Sequence, residues 1–174
     1  MHRMLMAASL LIVAGCCSTA HRHAHGPGSA RGGAGTAERS ASVVGQVERA
    51  LDDFHNAASK ADFDRYFGHF AEEGVFLGTD PEERWTVEQF KAYAKPHFAK
   101  GEGWTYTPIE RHVVLAPCGR IAWFDEKLSN DKYGLCRGTG VLTFDHSGAW
   151  RIRHYSLTFL IGNGVAEQAT KLGR

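Results

Sequence analysis

The chain has 174 residues, of which 43% are hydrophobic and 22% are charged, and its formal net charge at pH 7 is +1. This length and apolar fraction are typical of one globular domain with a hydrophobic core. The nearly balanced charge and the lack of a basic run argue against a nucleic-acid-binding protein. We therefore expect no nucleic-acid partner.

The N-terminus combines a basic residue, a short apolar run and a cysteine. Arg3 precedes Leu10-Leu11-Ile12, and Val13-Ala14-Gly15-Cys16 follows directly. This arrangement resembles the lipobox of bacterial lipoproteins, in which two small residues separate an aliphatic residue from the lipid-carrying cysteine. The apolar run is about half as long as the ~20 residues that a transmembrane helix needs.

The lipobox resemblance implies a signal peptide at residues 1–15, cleavage before Cys16 and lipidation of Cys16. The protein would then be anchored to a membrane of the cell envelope through this lipid, facing the periplasm or the exterior. The alternative is an ordinary secretory signal in which Cys16 is incidental.

Residues 16–40 predict a flexible tether, because they are rich in Ala, Gly, Ser, His and Arg and lack apolar periodicity. His21, His23 and His25 alternate within it. No set of carboxylates or cysteines completes a coordination shell beside these histidines, so we expect no metal site.

The pattern changes at Ser42, where apolar residues begin to recur at helical spacing. Positions 43–58 predict a long amphipathic helix with one face toward the core. A second, shorter helix is predicted from Phe63 and is expected to end at Gly74, followed by a short strand at Val75–Leu77.

A third helix is predicted to begin after Thr86, because Gln89 three residues later completes a capping-box pattern. Pro96 is expected to bend or end this helix. Beyond it, four strand-like stretches separated by turn-forming residues predict an antiparallel meander. They are Trp104–Leu115, Arg120–Leu128, Leu135–Phe144 and Trp150–Ile161, and the tail at 163–174 has no clear pattern.

Only two of the four cysteines, Cys118 and Cys136, lie within the predicted domain. In a hairpin of the second and third strands, Cys136 lies opposite residues near Lys127 and Cys118 lies at the other end. At a rise of ~3.3 Å per residue, this separation exceeds the ~7 Å limit for a disulfide. We therefore predict that the two do not pair with each other and serve mainly in packing.

Six short segments stand out within the predicted elements. They are Glu83-Arg84-Trp85-Thr86, Phe90-Lys91-Ala92-Tyr93, Trp104-Thr105-Tyr106, Trp123-Phe124-Asp125-Glu126, Arg137-Gly138-Thr139-Gly140 and Trp150-Arg151-Ile152. These segments, and the order of helix, helix, short strand, helix and long meander, resemble the cone-shaped SnoaL-like domains of the NTF2 superfamily. The likeness extends over about 43–161 and implies an α+β fold in a domain at 41–162, with N-terminal helices packed on a curved, mainly antiparallel sheet. Its function remains open, because one fold supports many activities.

Strand alternation divides the candidate catalytic residues between two faces of the sheet. Trp123 and Asp125 share one face and Glu126 lies on the other, so the two adjacent carboxylates cannot both enter a pocket. We predict Asp125 and His154 as acid–base residues. The alternatives are an ion pair between Asp125 and Arg137 and a structural, hydrogen-bonded role for His154.

The candidate ligand-binding residues are aromatic or basic, and core packing is the alternative for the tryptophans. The catalytic sets of the characterised epoxide hydrolases and steroid isomerases of this superfamily are not found at matching positions. The candidates are Trp85, Trp104, Tyr106, Trp123 and Arg137.

These observations favour a lipid-anchored envelope protein whose pocket domain binds a small, largely apolar molecule, without a cofactor. One alternative is a lyase or isomerase that uses a pocket Asp or His as general base. Another is an interaction module that binds a protein through the sheet face. Large apolar residues on both faces of the sheet also predict a homodimer, as in many members of the superfamily.

Overall fold

The structure is a computed structural model that describes residues 32–172. The predicted signal peptide, Cys16 and the tether up to residue 31 lie outside the described residues. Between residues 32 and 172, no helix is long and apolar enough to cross a membrane.

Four helices and six strands make up the described chain, and their composition and order confirm the predicted α+β class. The helices are α1 (Gly32–Ser59), α2 (Phe63–Gly68), α3 (Val87–Phe98) and α4 (Asn163–Leu172). The strands are β1 (Phe70–Leu77), β2 (Arg84–Thr86), β3 (Thr107–Leu115), β4 (Ile121–Asn130), β5 (Gly134–Phe144) and β6 (Trp150–Phe159).

Helix α1 lays one apolar stripe against the sheet. Val47, Leu51, Phe54 and Ala58 recur at helical spacing and are all buried, as the sequence predicts. The helix begins at Gly32, well before Ser42, so the last part of the predicted tether is helical. Ala37, Glu38 and Arg39 are exposed residues of good helix propensity, which favour a helix there without a core contact.

The second helix is shorter than predicted. It ends at Gly68, and the chain enters β1 at Phe70. Gly74 lies inside that strand, at the irregularity between Phe70 and Val75, and does not end a helix. A Cβ at position 74 would lie 2.9 Å from the carbonyl oxygens of both Ala71 and Ile152, so this close approach of two strands requires glycine.

The third helix begins as predicted. The Thr86 hydroxyl accepts a hydrogen bond from the Gln89 backbone N–H at 3.3 Å, and the Gln89 side chain accepts one from the Thr86 N–H at 2.9 Å. Pro96 lies within the last turn, and the helix continues to Phe98. Proline has no N–H to donate to the carbonyl oxygen of Ala92, and the helix ends two residues after it.

The six strands form one sheet in the order β2-β1-β6-β5-β4-β3. The predicted meander of β3 to β6 is antiparallel throughout, and β1 joins β6 in parallel. The first meander strand begins at Thr107 rather than at Trp104. Helices α1 and α3 pack on one face of this sheet, which we call the inner face. The hydrophobic core lies between these helices and the sheet.

A bulge in β6 changes which side chains face the core. Val141 is paired with His154 and Leu142 with Ile152, so Arg153 is the extra residue. Ile152 and Tyr155 therefore both point inward, although simple alternation assigns them to opposite faces.

The two domain cysteines lie at opposite ends of the β4–β5 hairpin, as predicted. Cys136 is a buried free thiol paired in register with Leu128, near the end of β4. Cys118 precedes the start of β4 and is not bonded to Cys136. The C-terminal tail, for which the sequence shows no pattern, forms α4, and none of its described residues is buried.

Candidate functional site

A pocket of about 230 Å³ opens between the inner face of the sheet, helix α3 and the segment before β3. Seven of its lining residues are aromatic and one, Glu83, carries a charge. The complete lining consists of Phe76, Gly78, Thr79, Glu83, Trp85, Phe90, Tyr93, Trp104, Tyr106, Tyr133 and Leu157.

Packing of aromatic rings shapes the wall of this pocket. Phe90 of α3 is 2% exposed and stacks on Phe76 of β1, with 4.1 Å between ring centroids. The ring centroid of Trp85 in β2 lies 5.3 Å from that of Phe90 and 4.6 Å from that of Tyr93, which follows Phe90 by one turn of α3. Such contacts hold large side chains in fixed orientations, so the wall is preorganised.

Three of the five predicted ligand-binding residues line this pocket: Trp85, Trp104 and Tyr106. Trp123 and Arg137 do not, because both lie on the outer face of the sheet. Trp123 is 46% exposed there, and Arg137 is exposed opposite Lys127. The sequence alone does not reveal which face of a two-sided apolar sheet encloses the pocket.

The two predicted catalytic residues also lie on the outer face. Asp125 is exposed opposite His112 and Thr139, and it forms no ion pair with Arg137 in the described part of the chain. His154 is paired with Val141 and thus shares the face of Trp123, because the bulge at Arg153 shifts the alternation of β6. The structure therefore separates both residues from the pocket.

The carboxylate that does point inward is Glu126, the neighbour of Asp125. It is completely buried and accepts three hydrogen bonds. His55 Nε2 lies 2.7 Å and the Tyr155 hydroxyl 3.0 Å from Oε1, and Arg111 Nε lies 2.8 Å from Oε2. Arg111 also donates through Nη1 to Asp52 Oδ1 at 2.7 Å, which ties β3 to α1.

The surroundings determine the protonation of this cluster. Burial favours a raised pKa for Glu126, but the hydrogen bonds and charges of His55 and Arg111 outweigh it and lower that pKa below its usual value. Burial and the charge of Glu126 raise the pKa of Tyr155 far above the usual range. Glu126 is therefore an anion and Tyr155 a neutral donor at pH 7.

An ionised Glu126 also determines which nitrogen of His55 donates to it. A carboxylate only accepts hydrogen bonds, so Nε2 of His55 carries a proton and donates it to Glu126. Nδ1 makes no hydrogen bond to any described residue. His55 lines a cavity of about 20 Å³ together with Tyr106, Tyr155 and Leu157, and this volume holds about one water molecule.

This small cavity connects the aromatic pocket to the buried cluster. It shares Phe76, Trp104, Tyr106 and Leu157 with the larger pocket. On its other side, His55 and Tyr106 also line a polar groove of about 200 Å³ at the end of α1. Tyr106 therefore stands between the aromatic pocket and the groove, and burial raises its pKa to about 12.

Sequence reasoning missed His55 and Tyr155, although each has a signal. His55 follows Phe54 on the buried stripe of α1, where a polar residue needs a partner. Gly138 faces Glu126 across the hairpin, and a Cβ there would overlap the Tyr155 hydroxyl and lie 2.8 Å from Glu126 Oε1. Glycine at this position thus makes room for the contact.

No group of three or more His, Cys, Asp or Glu residues within 32–172 is arranged to hold a metal ion. The side chains around the pocket offer rings, hydroxyls and one carboxylate. These groups can enclose a small organic molecule and can donate or accept hydrogen bonds at its edge.

Several solved structures share the fold. An NTF2-like protein of unknown function from Pseudomonas putida is 11% identical, with a TM-score of 0.59 over 71% of this chain and 90% of its own. A "putative dehydratase" of the NTF2-like family from Streptomyces avermitilis is 17% identical, with a TM-score of 0.56 over 70% and 99%. A "putative scytalone dehydratase" from Novosphingobium aromaticivorans is 11% identical, with a TM-score of 0.58 over 71% and 89%.

These similar structures confirm the predicted NTF2-like cone. Because their sequence identities to this chain are so low, they support the fold and not a function. No curated protein matches the sequence. The family comparison is more specific, since residues 47–162 match the SnoaL-like domain over most of the described chain. The protein therefore belongs to the family of SnoaL-like domains.

Proposed function

We propose that this SnoaL-like domain binds a small, largely apolar organic molecule in the aromatic pocket. The observation that carries the proposal is the pocket itself, whose wall is built of packed rings and opens to solvent. A preformed concave apolar surface favours a ligand that exchanges water contacts for ring contacts. Its volume of about 230 Å³ suits a ligand smaller than a typical drug.

A binding role is favoured over catalysis because the reactive group lies behind the pocket. His55 is not among the residues that line the larger pocket, and a cavity for about one water molecule separates the two. A ligand in the larger pocket thus contacts rings rather than the imidazole. The Glu126 cluster mainly ties α1, β3, β4 and β6 together.

The test is mass spectrometry of the full chain purified from bacterial membranes in mild detergent. We expect a co-purifying small molecule in stoichiometric amount, lost in Trp85→Ala and retained in Trp123→Ala. The two tryptophans form a matched pair, since only Trp85 lines the pocket. An empty wild-type protein, or equal occupancy in both variants, contradicts the proposal.

We further propose that the domain is anchored in the cell envelope through lipid on Cys16. The proposal is supported by the Val13-Ala14-Gly15-Cys16 pattern at the end of an apolar run. Cys16→Ser should release the protein into the soluble fraction, and Cys17→Ser should leave it in the membrane. The lipid anchor is contradicted if the Cys16→Ser variant stays in the membrane although its mature N-terminus carries no lipid.

A second candidate function is acid–base catalysis at His55. It is favoured by His55 Nδ1, which has no hydrogen-bond partner among the described residues, and by Glu126, which would stabilise a protonated imidazole. A water molecule in the small cavity, or a shift of Tyr106, would connect His55 with a ligand. The dehydratase names of two fold neighbours carry no weight at 11% and 17% identity.

Catalysis is tested by incubating the pocket ligand with the protein and following its mass over time. The catalytic candidate requires chemical change with the wild type, none with His55→Asn, and normal turnover with His154→Asn as the outer-face control. An unchanged ligand with wild-type protein leaves the binding function and removes the catalytic one.

A further inference from the structure

The chemistry of the pocket contains one feature that an apolar ligand does not explain. Glu83 is the one charged residue in a lining that is otherwise aromatic, aliphatic or small. Its Oε2 accepts a hydrogen bond from the Asp80 backbone N–H at 3.2 Å. Among the described residues it has no cationic partner.

The local fold holds this carboxylate in place. The loop between β1 and β2 is closed by a hydrogen bond from the Gly78 N–H to the Glu83 carbonyl oxygen at 2.9 Å. A Cβ at position 78 would collide with the Glu83 side chain, so glycine lets the carboxylate pack against the loop. Glu83 is only partly exposed as a result.

Binding of a neutral ligand beside Glu83 would carry a desolvation cost that nothing offsets. Covering an unpaired carboxylate removes water from it, and nothing apolar replaces the lost solvation. A positively charged group offsets that cost and is also attracted to the electron-rich faces of the surrounding rings. The aromatic rings and the Glu83 carboxylate thus both favour a positive charge on the ligand.

The residues around the pocket are also consistent with a positively charged ligand. Glu83 and Tyr106 line the same pocket, and the charge of Glu83 is the smallest contribution to the raised pKa of Tyr106, after burial, Cys136 and Tyr133. The Lys132 ammonium lies 4.8 Å from the centroid of the Tyr133 ring, so this ring of the pocket lining makes a cation–π contact. Lys132 itself does not line the pocket.

We propose that the pocket takes a small organic cation, an alkylammonium or quaternary ammonium compound with an apolar body. Its charge lies between Glu83 and the rings of Trp85 and Tyr133, and its apolar body lies against Phe90 and Trp104. The inference rests on the proposed binding function and narrows its ligand class.

Two probes of the same shape separate charge from apolar fit: benzyltrimethylammonium and neopentylbenzene, in which carbon replaces the charged nitrogen. Binding to the full chain is followed by intrinsic tryptophan fluorescence, because two of the four tryptophans, Trp85 and Trp104, line the pocket. We expect the cation to bind at least about tenfold more tightly than its neutral isostere, since a cation that loses water among rings gains strongly. This preference should weaken at high salt.

Variants assign the effect to the carboxylate. Glu83→Gln should weaken binding of the cation about tenfold and leave the neutral probe unchanged, because it removes the charge and keeps the shape. Glu82→Gln, an exposed neighbour outside the lining, should change neither. Lys132→Gln should strengthen cation binding about twofold to threefold, since it removes a nearby positive charge.

The outcomes distinguish the inference from the function on which it rests. Equal affinities for the two probes, or a cation affinity that Glu83→Gln does not change, refute the cation site and leave an apolar binding pocket. Failure of both probes refutes the inference. It refutes the binding function as well if the purified full chain also carries no small molecule.

Discussion

The substitution Glu126→Gln tests whether the buried cluster holds the helix to the sheet. The carboxylate accepts hydrogen bonds from His55 and Tyr155 on one oxygen and from Arg111 on the other. An amide has one accepting oxygen, so in either orientation its NH2 group faces a donor. Breaking a buried ion pair in this way costs ~3–5 kcal/mol, and we expect about 3 kcal/mol because Arg111 keeps Asp52.

The assay is urea unfolding of the wild type and the variant across pH. The folded-state pKa of Glu126 is lowered, so its contribution is present above the ordinary glutamate pKa and is lost as the pH falls through the folded value. The gap in the free energy of unfolding should be largest near neutrality and shrink in acid. The control is Glu110→Gln on the neighbouring strand, where both Glu110 and its partner His112 are exposed.

A loss below ~1 kcal/mol, the size of an ordinary surface effect, would refute this reasoning. So would a gap that does not change with pH, because the penalty would then not arise from the charge of Glu126. A loss in Glu110→Gln as large as in Glu126→Gln would show that burial does not distinguish the two sites.

Three further predictions concern packing, capping and assembly. Gly138→Ala should destabilise the domain by ~1–3 kcal/mol, because its Cβ would displace the Tyr155 hydroxyl; unchanged thermal unfolding would contradict the packing argument. Thr86→Ala should cost ~1 kcal/mol by removing the cap of α3, and an unchanged urea midpoint would contradict it. We propose that half-exposed Trp123 lies in a homodimer interface on the outer face. Trp123→Glu should then give a monomer by light scattering, and a monomeric wild type would exclude this interface.

Local sequence patterns determined most of the elements. The apolar stripe of α1, the Thr86 capping box and the turn-separated meander depend on neighbours a few residues apart, so they could be predicted. Failures occurred where a distant strand intervened. Gly74 suggests a helix end by composition, yet the approach of Ile152 makes it part of β1.

In the candidate site, too, some residues could be predicted from the sequence and others could not. Trp85, Trp104 and Tyr106 could be predicted as pocket residues from the family pattern, and they line the pocket. The choice of Asp125 over Glu126 could not be corrected from alternation, because alternation separates two faces without saying which is covered. Only the packing of α1 and α3 on one face decided that.

The sequence by itself determined the family, the order of the elements and the aromatic character of the pocket. The tertiary structure decided which polar residues meet. His55 and Glu126 are 71 positions apart, and the bulge at Arg153 turns Tyr155 rather than His154 toward them. The reason is physical: periodicity reports which residues share a face within one element, whereas a buried ion pair requires elements from different parts of the chain to pack together.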